Sequence, residues 1–140
     1  MTTNLALNSA ADLGNWLREE LTATRPDVNH MLRVIARETD RWFLHNLDAD
    51  DIAALASEPV NTGNRKWDAL VEGVVAYRLH IAGLRSPRWT RRTRLDEGWN
   101  PREDTDNPPP LAWSLLDLLE TPAELFDKGV NYSYRNMELL

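Results

Sequence analysis

The segment from Asn64 to Gly83 limits the fold of this chain more than any other feature. Asn64 is a good helix N-cap, Gly83 suits the left-handed position that follows a helix, and Pro87 blocks any continuation. Between them, apolar side chains recur at helical spacing on two faces: Trp67, Leu70, Val71, Val74, Tyr77 and Ile81 on one, Val75 and Leu79 on the other. We therefore predict a central helix near 64–82 that is covered on two sides.

Further helices are predicted from caps and apolar spacing around this segment. Ser9 is predicted to cap the first helix, with Asp12 in capping-box position. Pro26 and Asp27 open the second, which is expected to run through Trp42 and Phe43, and Asp48 and Asp51 begin a short third. A last short helix is expected from Ser133 through Met137 to Leu140. Four leucines mark a fifth helix after Pro108–Pro110: Leu111, Leu115, Leu118 and Leu119. The run Thr121-Pro122-Ala123-Glu124 predicts a sixth helix that begins with a capping box.

Strand signals are weak, since no segment alternates cleanly and no Asn-Gly or Asp-Gly turn occurs. The prediction is an all-α fold, with residues 1–140 forming a single compact bundle of about six or seven helices. A long irregular connection is expected near 85–110. With 42% hydrophobic residues and 6 tryptophans, the chain has enough apolar mass for a core.

Composition also excludes several function classes. The chain has 0 cysteines, which rules out disulfides, thiolate catalysis and cysteine-ligated metal sites. It begins without a signal-peptide pattern and has no apolar run of the ~18 residues that a membrane span needs. We therefore expect a cytoplasmic protein that does not enter membranes. The net charge of −6 argues against general nucleic-acid binding, although a local basic surface would override that average.

Catalytic motifs are sparse. His30, His45 and His80 are scattered and form no metal-ligand motif, and no phosphate-binding glycine loop or nucleophile elbow is present. The pair of Arg41 and His45 is the one nameable catalytic candidate, because it loosely resembles the Arg…His pair of HEPN-type ribonucleases, at a spacing one residue short. No cofactor and no metal are expected. The lack of a catalytic motif favours a non-enzymatic protein.

The most distinctive stretch is an arginine-rich part of the long connection. It supplies our candidate partner-binding residues, namely Arg85, Arg88, Trp89, Arg91, Arg92, Arg94 and the nearby Trp99. Arginine and tryptophan are enriched at binding hot spots, and the same residue types also grip phosphates and stack on bases. For the arginines, the structural alternatives are pairing with the acidic residues at 96–106 or with acidic helices elsewhere in the chain. For the two tryptophans, the alternative is that they pin the connection onto the core.

The second half of the chain, roughly residues 67–140, resembles a known group of sequences. The resemblance is carried by Trp67, Leu70, Gly83-Leu84, Pro87-Arg88-Trp89-Thr90, Trp99, Leu111-x-Trp113, Thr121-Pro122-Ala123-x-Leu125 and Gly129-Val130. It is similar to a helical region of uncharacterised, mostly actinobacterial, toxin–antitoxin-associated regulators, where that region commonly follows an Xre-type DNA-binding segment. We find no such segment in the first 60 residues, so the resemblance implies a protein-binding companion module and no catalytic residues.

Three hypotheses follow from the sequence. The first is a non-enzymatic protein-interaction or antitoxin-like regulatory module that binds a protein partner. The second is a nucleic-acid-associated transcriptional regulator that uses the Arg85–Arg94 cluster, and the third is a small helical ribonuclease or hydrolase. A homodimer is a further hypothesis, because six tryptophans are many for a chain of 140 residues.

Overall fold

A computed structural model describes residues 7–43 and 46–138, and within them the chain is all-α, as predicted. The α-helices are α1 (Ala10–Glu20), α2 (Val28–Arg41), α3 (Ala49–Leu55), α4 (Arg65–Ile81), α5 (Leu111–Leu119) and α6 (Ala123–Phe126). Three short 3-10 turns span Arg88–Arg91, Pro101–Asp104 and Tyr134–Met137. None of the described helices combines the length and apolarity that crossing a bilayer requires.

The central position of α4 is confirmed. Eleven of its 17 residues are buried, and it contacts α1, α2, α6 and the turn at Arg88–Arg91. The Asn64 side chain accepts from the Lys66 amide at 3.0 Å. At the other end Gly83 has a φ of 76°, and the Leu84 amide donates back to the Leu79 carbonyl at 2.8 Å, which is a Schellman ending.

Most of the predicted helix starts are also confirmed. Ser9, Asp27 and Asp48 each accept from a backbone amide in the first turn of α1, α2 and α3, and Ser133 caps the last 3-10 turn. The prediction that the second helix continues through Trp42 and Phe43 was slightly too long, because α2 ends at Arg41. There the Trp42 indole turns back and donates to the Leu7 carbonyl at 2.7 Å.

The capping box predicted at Thr121 is wrong. No side chain caps α6, which begins after Pro122 and is only four residues long. Thr121 is used elsewhere, since its hydroxyl donates to the Asp117 carbonyl and accepts from the Tyr132 amide. The carboxylate of Glu124, which was to complete the box, pairs with His80 at the end of α4.

A buried carboxylate on α4 fixes the long connection. Glu72 has 0% relative exposure and accepts from Lys128 Nζ at 2.9 Å. It also accepts from the Thr93 amide at 2.8 Å and from the Thr93 hydroxyl at 2.6 Å. A buried charge is tolerated only when it is paired and hydrogen-bonded. Glu72 therefore joins α4 to both the connection and the residues after α6.

The rest of the connection lies along the segment that follows α6. The Leu95 amide donates to the Lys128 carbonyl at 2.8 Å, and the Trp99 amide donates to the Gly129 carbonyl at 2.9 Å. Trp99 and Val130 form an isolated parallel bridge there. The stretch 85–110 is thus irregular, as predicted, but its backbone is paired with other parts of the chain.

Helices α4 and α6 cross at Gly73, which generates a prediction about stability. A Cβ at Gly73 would lie 2.3 Å from Leu125 Cδ2 and 3.3 Å from the Glu124 carbonyl oxygen. Leu125 is fully buried and has little room to move. We expect Gly73→Ala to lower the free energy of unfolding by about 1–3 kcal/mol through overpacking, despite the helix propensity of alanine. Urea denaturation measures this.

Leu125→Ala supplies the matched control. Alone it should cost about 2–5 kcal/mol because it leaves a cavity. In the double variant the new methyl group occupies part of that cavity, so the combined loss should be smaller than the sum. Strict additivity would contradict the close contact between Gly73 and Leu125.

Candidate interaction surface

Helix α5 presents its apolar side to solvent and its polar side to the body of the protein, which is the opposite of an ordinary amphipathic helix. Asp117 is its one buried residue, whereas Leu111 is 76% exposed and Leu119 is 79% exposed. The exposed apolar side chains of this helix, which we call the α5 surface, are Leu111, Trp113, Leu115, Leu116, Leu118 and Leu119. Each of them keeps at least 36% of its surface open to solvent.

The spacing of polar residues explains this orientation. Ser114, Asp117 and Thr121 follow one another at intervals of three and four residues, so they share one side of the helix and its continuation. Leu111, Leu115 and Leu118 follow the same intervals on another side. A polar side chain needs hydrogen-bond partners when it is buried. The polar side of α5 faces the body of the protein because the body supplies those partners.

Asp117 is the anchor. Its Oδ2 accepts from Asn100 Nδ2 at 3.0 Å, and its Oδ1 accepts from Asn136 Nδ2 at 3.1 Å. Arg102 Nη1 lies 3.1 Å from Oδ1 and 3.2 Å from Oδ2, so one guanidinium nitrogen serves both carboxylate oxygens. These donors come from the turns at Pro101–Asp104 and Tyr134–Met137 and the residue before the first. Charge-assisted hydrogen bonds of this kind are the strong ones.

The C-terminal end of α5 is held in the same polar way. Glu120 accepts from the Ser133 hydroxyl and from Arg135 Nε, each at 2.9 Å. The negative charge of Glu120 raises the pKa of Arg135. Tyr132 lies close by, and burial raises its pKa well above the ordinary value, so the phenol stays neutral. The helix is therefore fixed to the body by a polar layer and not by its leucines.

A cleft runs beside this polar layer. It has a volume of about 310 Å³, and its walls include Trp113 and Leu116 of α5 together with Arg135 and Asn136. Trp113 is 57% exposed. The cleft thus continues the α5 surface and gives its apolar side chains a partly polar rim, which is the general anatomy of a protein interface.

The predicted arginines separate into two groups. Arg92 is engaged by the fold, since its Nη1 donates to Glu58 at 2.7 Å and its Nε lies 3.4 Å from Glu72. The other four, Arg85, Arg88, Arg91 and Arg94, are exposed, and none forms an ion pair with a described residue. The expected neutralisation by residues 96–106 is not observed among them, because Asp104 accepts from Trp99 and Asp106 pairs with Arg25.

The two predicted tryptophans lie inside the protein. Trp89 is 7% exposed and Trp99 is 6% exposed. The Trp89 indole donates to the Ala56 carbonyl at 2.9 Å, and Trp99 packs edge-on against Trp67 with ring centroids 5.5 Å apart. Both residues pin the connection to the core, which was the structural alternative, and neither presents its ring to a partner. The accessible part of the predicted set is therefore its five arginines, of which Arg92 is held by ion pairs with Glu58 and Glu72.

The predicted catalytic pair is described only in part. Arg41 Nη2 donates to Glu38 Oε1 at 2.7 Å, and His45 lies outside the described residues. Burial acts to raise the pKa of Glu38, but hydrogen bonds from Arg41 and the Leu7 amide outweigh it and hold that pKa below its ordinary value. No group of three or more acidic or histidine side chains within 7–43 and 46–138 is placed to hold a metal ion.

The sequence interpretation missed the α5 surface. It used the leucines of 111–119 only as markers of a helix. The sequence signal for this surface was Asp117, a lone carboxylate opposite the leucine stripe. A helix with leucines on one side and a single charged residue on the other must place one of these sides against the body of the protein. Sequence alone does not show the three side chains that bind Asp117.

The anchor generates a prediction about α5. Asp117→Ala would leave Asn100, Arg102 and Asn136 without their shared acceptor and should lower the free energy of unfolding by about 1–3 kcal/mol. The loss should be local, so amide hydrogens of α5 should exchange faster while those of α4 keep most of their protection. Hydrogen exchange read by mass spectrometry measures both, with Glu103→Ala, an exposed neighbour, as control. Uniform acceleration across the chain would contradict a local anchor.

Comparison with known proteins gives no relative from which a function could be transferred. The chain matches no protein-family model, and neither the curated proteins nor the solved structures contain a significant match.

Proposed function

We propose that this chain is a non-enzymatic protein-interaction module that docks a protein partner on the α5 surface. The single observation that carries the proposal is the orientation of α5, with Asp117 buried and Leu111, Leu115 and Leu119 open to solvent. Contiguous exposed apolar patches rimmed by polar residues mark interaction sites on soluble proteins. An isolated exposed leucine would carry no such meaning.

The energetics favour a covered surface. Fully burying one leucine side chain stabilises a structure by about 1.5–3 kcal/mol, and α5 leaves five of them exposed to different degrees. Rotating the helix to bury them would carry Asp117 into water and leave Asn100, Arg102 and Asn136 facing leucines without their shared acceptor. Polar groups that lose their hydrogen-bond partner away from water are costly. The apolar side therefore stays exposed in the free chain, and the binding of a partner would bury it.

The surface is also preorganised. Polar contacts at Asp117 and Glu120 hold both the middle and the end of α5. The stiff run Pro108–Pro110 precedes the helix, and the Trp113 amide donates to the Pro110 carbonyl at 2.9 Å. A partner that binds here pays little entropy for ordering the helix, which favours affinity at a given contact area.

The four exposed arginines supply a second surface for the same role. Arg85, Arg88, Arg91 and Arg94 give a local positive charge to a chain whose net charge is −6. This suits an acidic segment of a partner protein, which would be attracted electrostatically and then held by bidentate contacts. The antitoxin-like, regulatory form of the role remains a prediction of the sequence resemblance.

A nucleic-acid-associated regulator is the second candidate, and the same four exposed arginines favour it. Phosphate contacts release counterions, so the affinity for nucleic acid would fall steeply as salt rises. An affinity that does not change with salt would exclude this candidate. The ribonuclease hypothesis depends on Arg41 and His45, and His45 lies outside the described residues.

The proposal predicts the outcome of affinity capture from the native host. A Leu115→Lys variant places a charge in the middle of the α5 surface and should reduce the captured partner by about tenfold or more. It should change the free energy of unfolding by less than about 0.5 kcal/mol, since Leu115 is 51% exposed. Quantitative mass spectrometry of the eluates measures the first effect and urea denaturation the second.

Ile81→Lys is the matched control, because Ile81 is an exposed aliphatic residue, 69% accessible, at the end of α4. It should capture the same proteins as the wild type. The double variant Arg88→Glu/Arg91→Glu tests the arginine surface in the same assay. Capture that survives Leu115→Lys unchanged would set aside the role of α5.

A further inference from the structure

We infer that the α5 surface binds a second copy of the same chain, in an antiparallel, two-fold symmetric dimer. This inference rests on the proposed function, since it names the partner of the surface assigned there. Three observations on α5 support it: the symmetry of its leucines, the absence of charge on its outer side, and the apolar composition of that side.

The leucines are arranged symmetrically about the middle of the helix. Leu115 is the central residue of Leu111–Leu119, and the most exposed side chains, Leu111 and Leu119, lie four residues to either side of it. At a rise of about 1.5 Å per residue, each lies about 6 Å from Leu115 along the axis. A two-fold axis beside Leu115 therefore places Leu111 of one copy opposite Leu119 of the other. A two-fold interface requires this self-complementarity.

Charge favours the same occupant. The one ionisable side chain within α5 is Asp117, which faces the body and is paired with Arg102. Two copies that meet through α5 thus bury no charge, and their antiparallel helix dipoles attract. Each copy as a whole has a net charge of −6, so two copies repel each other on average. The uncharged α5 surface is where like-charged copies can approach most closely.

The exposed area sets how strong such a contact can be. Leu111, Leu115, Leu118 and Leu119 share the outer side of α5 and are 36–79% exposed, whereas Trp113 and Leu116 line the cleft on the anchored side. These four leucines offer less than the ~800 Å² per partner of a standard interface. Interfaces between identical chains are the more apolar class, which fits the composition of this side. We therefore expect a weak, reversible dimer.

Sedimentation equilibrium of the full chain over a concentration series tests the dimer. The wild type should pass from 16.1 kDa to twice that mass, and added salt should tighten the association because it screens the repulsion between copies. Leu115→Lys should raise the dissociation constant by about a hundredfold or more, since it places two ammonium groups near the axis. Ile81→Lys should leave the constant within about twofold of the wild type.

The chain has 0 cysteines, so single cysteines report the geometry directly. Under mild oxidation Leu115→Cys should form a disulfide-linked dimer, whereas Ile81→Cys should stay monomeric on a denaturing gel. A mixture of Leu111→Cys and Leu119→Cys should cross-link as a mixed pair, while each alone should cross-link far less. Self-cross-linking of Leu111→Cys alone would overturn the antiparallel arrangement.

Other outcomes overturn the inference. They are a wild type that stays at 16.1 kDa at every concentration, a dimer that persists in Leu115→Lys, and a monomer that binds phosphatidylcholine vesicles through α5. Failure of the inference is distinguishable from failure of the proposed function. If the chain is monomeric and Leu115→Lys loses the captured protein, only the inference of a second copy is refuted. If the chain is monomeric and no capture depends on α5, the proposed function is refuted as well.

Discussion

The carboxylate of Asp117 decides which side of α5 meets solvent. It is bound by side chains from two separate turns, namely Asn100, Arg102 and Asn136. The body of the protein therefore contacts α5 through polar groups, where a packed helix would usually contact apolar side chains. Burying a carboxylate is unfavourable unless its hydrogen bonds are made, and here both oxygens are bound. With Asp117 inside, helical periodicity sends Leu111, Leu115 and Leu119 outward. The exposed surface is thus a direct consequence of one satisfied buried charge.

A second buried carboxylate organises the rest of the molecule. Glu72 on α4 binds Lys128 and Thr93, and through them it fixes the arginine-rich connection and the chain after α6. Trp89 and Trp99 then fill the space between the connection and the core. Because these contacts use Arg92 but leave its neighbours free of described ion pairs, four arginines remain in solvent. Both candidate surfaces are therefore held by polar contacts beneath them.

Much of the fold was predictable from sequence because its signals are local. The caps at Ser9, Asp27, Asp48 and Asn64 depend on residues a few positions apart, and so does the glycine ending of α4. The predictions that failed involve contacts that the local pattern does not specify. Thr121 was assigned to the start of α6, but its hydroxyl donates to the carbonyl of Asp117 in the preceding helix and accepts from the Tyr132 amide. The α5 surface was missed for the same reason, since the donors to Asp117 lie 15–19 residues away in sequence.

Thiol labelling of single cysteines reports which side of α5 faces solvent. Ser114 and Leu115 are neighbours in sequence, but Ser114 lies towards the body and Leu115 is 51% exposed. At a concentration low enough to keep the chain monomeric, Leu115→Cys should react with a soluble thiol reagent at nearly the rate of the unfolded chain. Ser114→Cys should react several-fold more slowly. The reverse order would mean that the leucines face the core and would contradict the account.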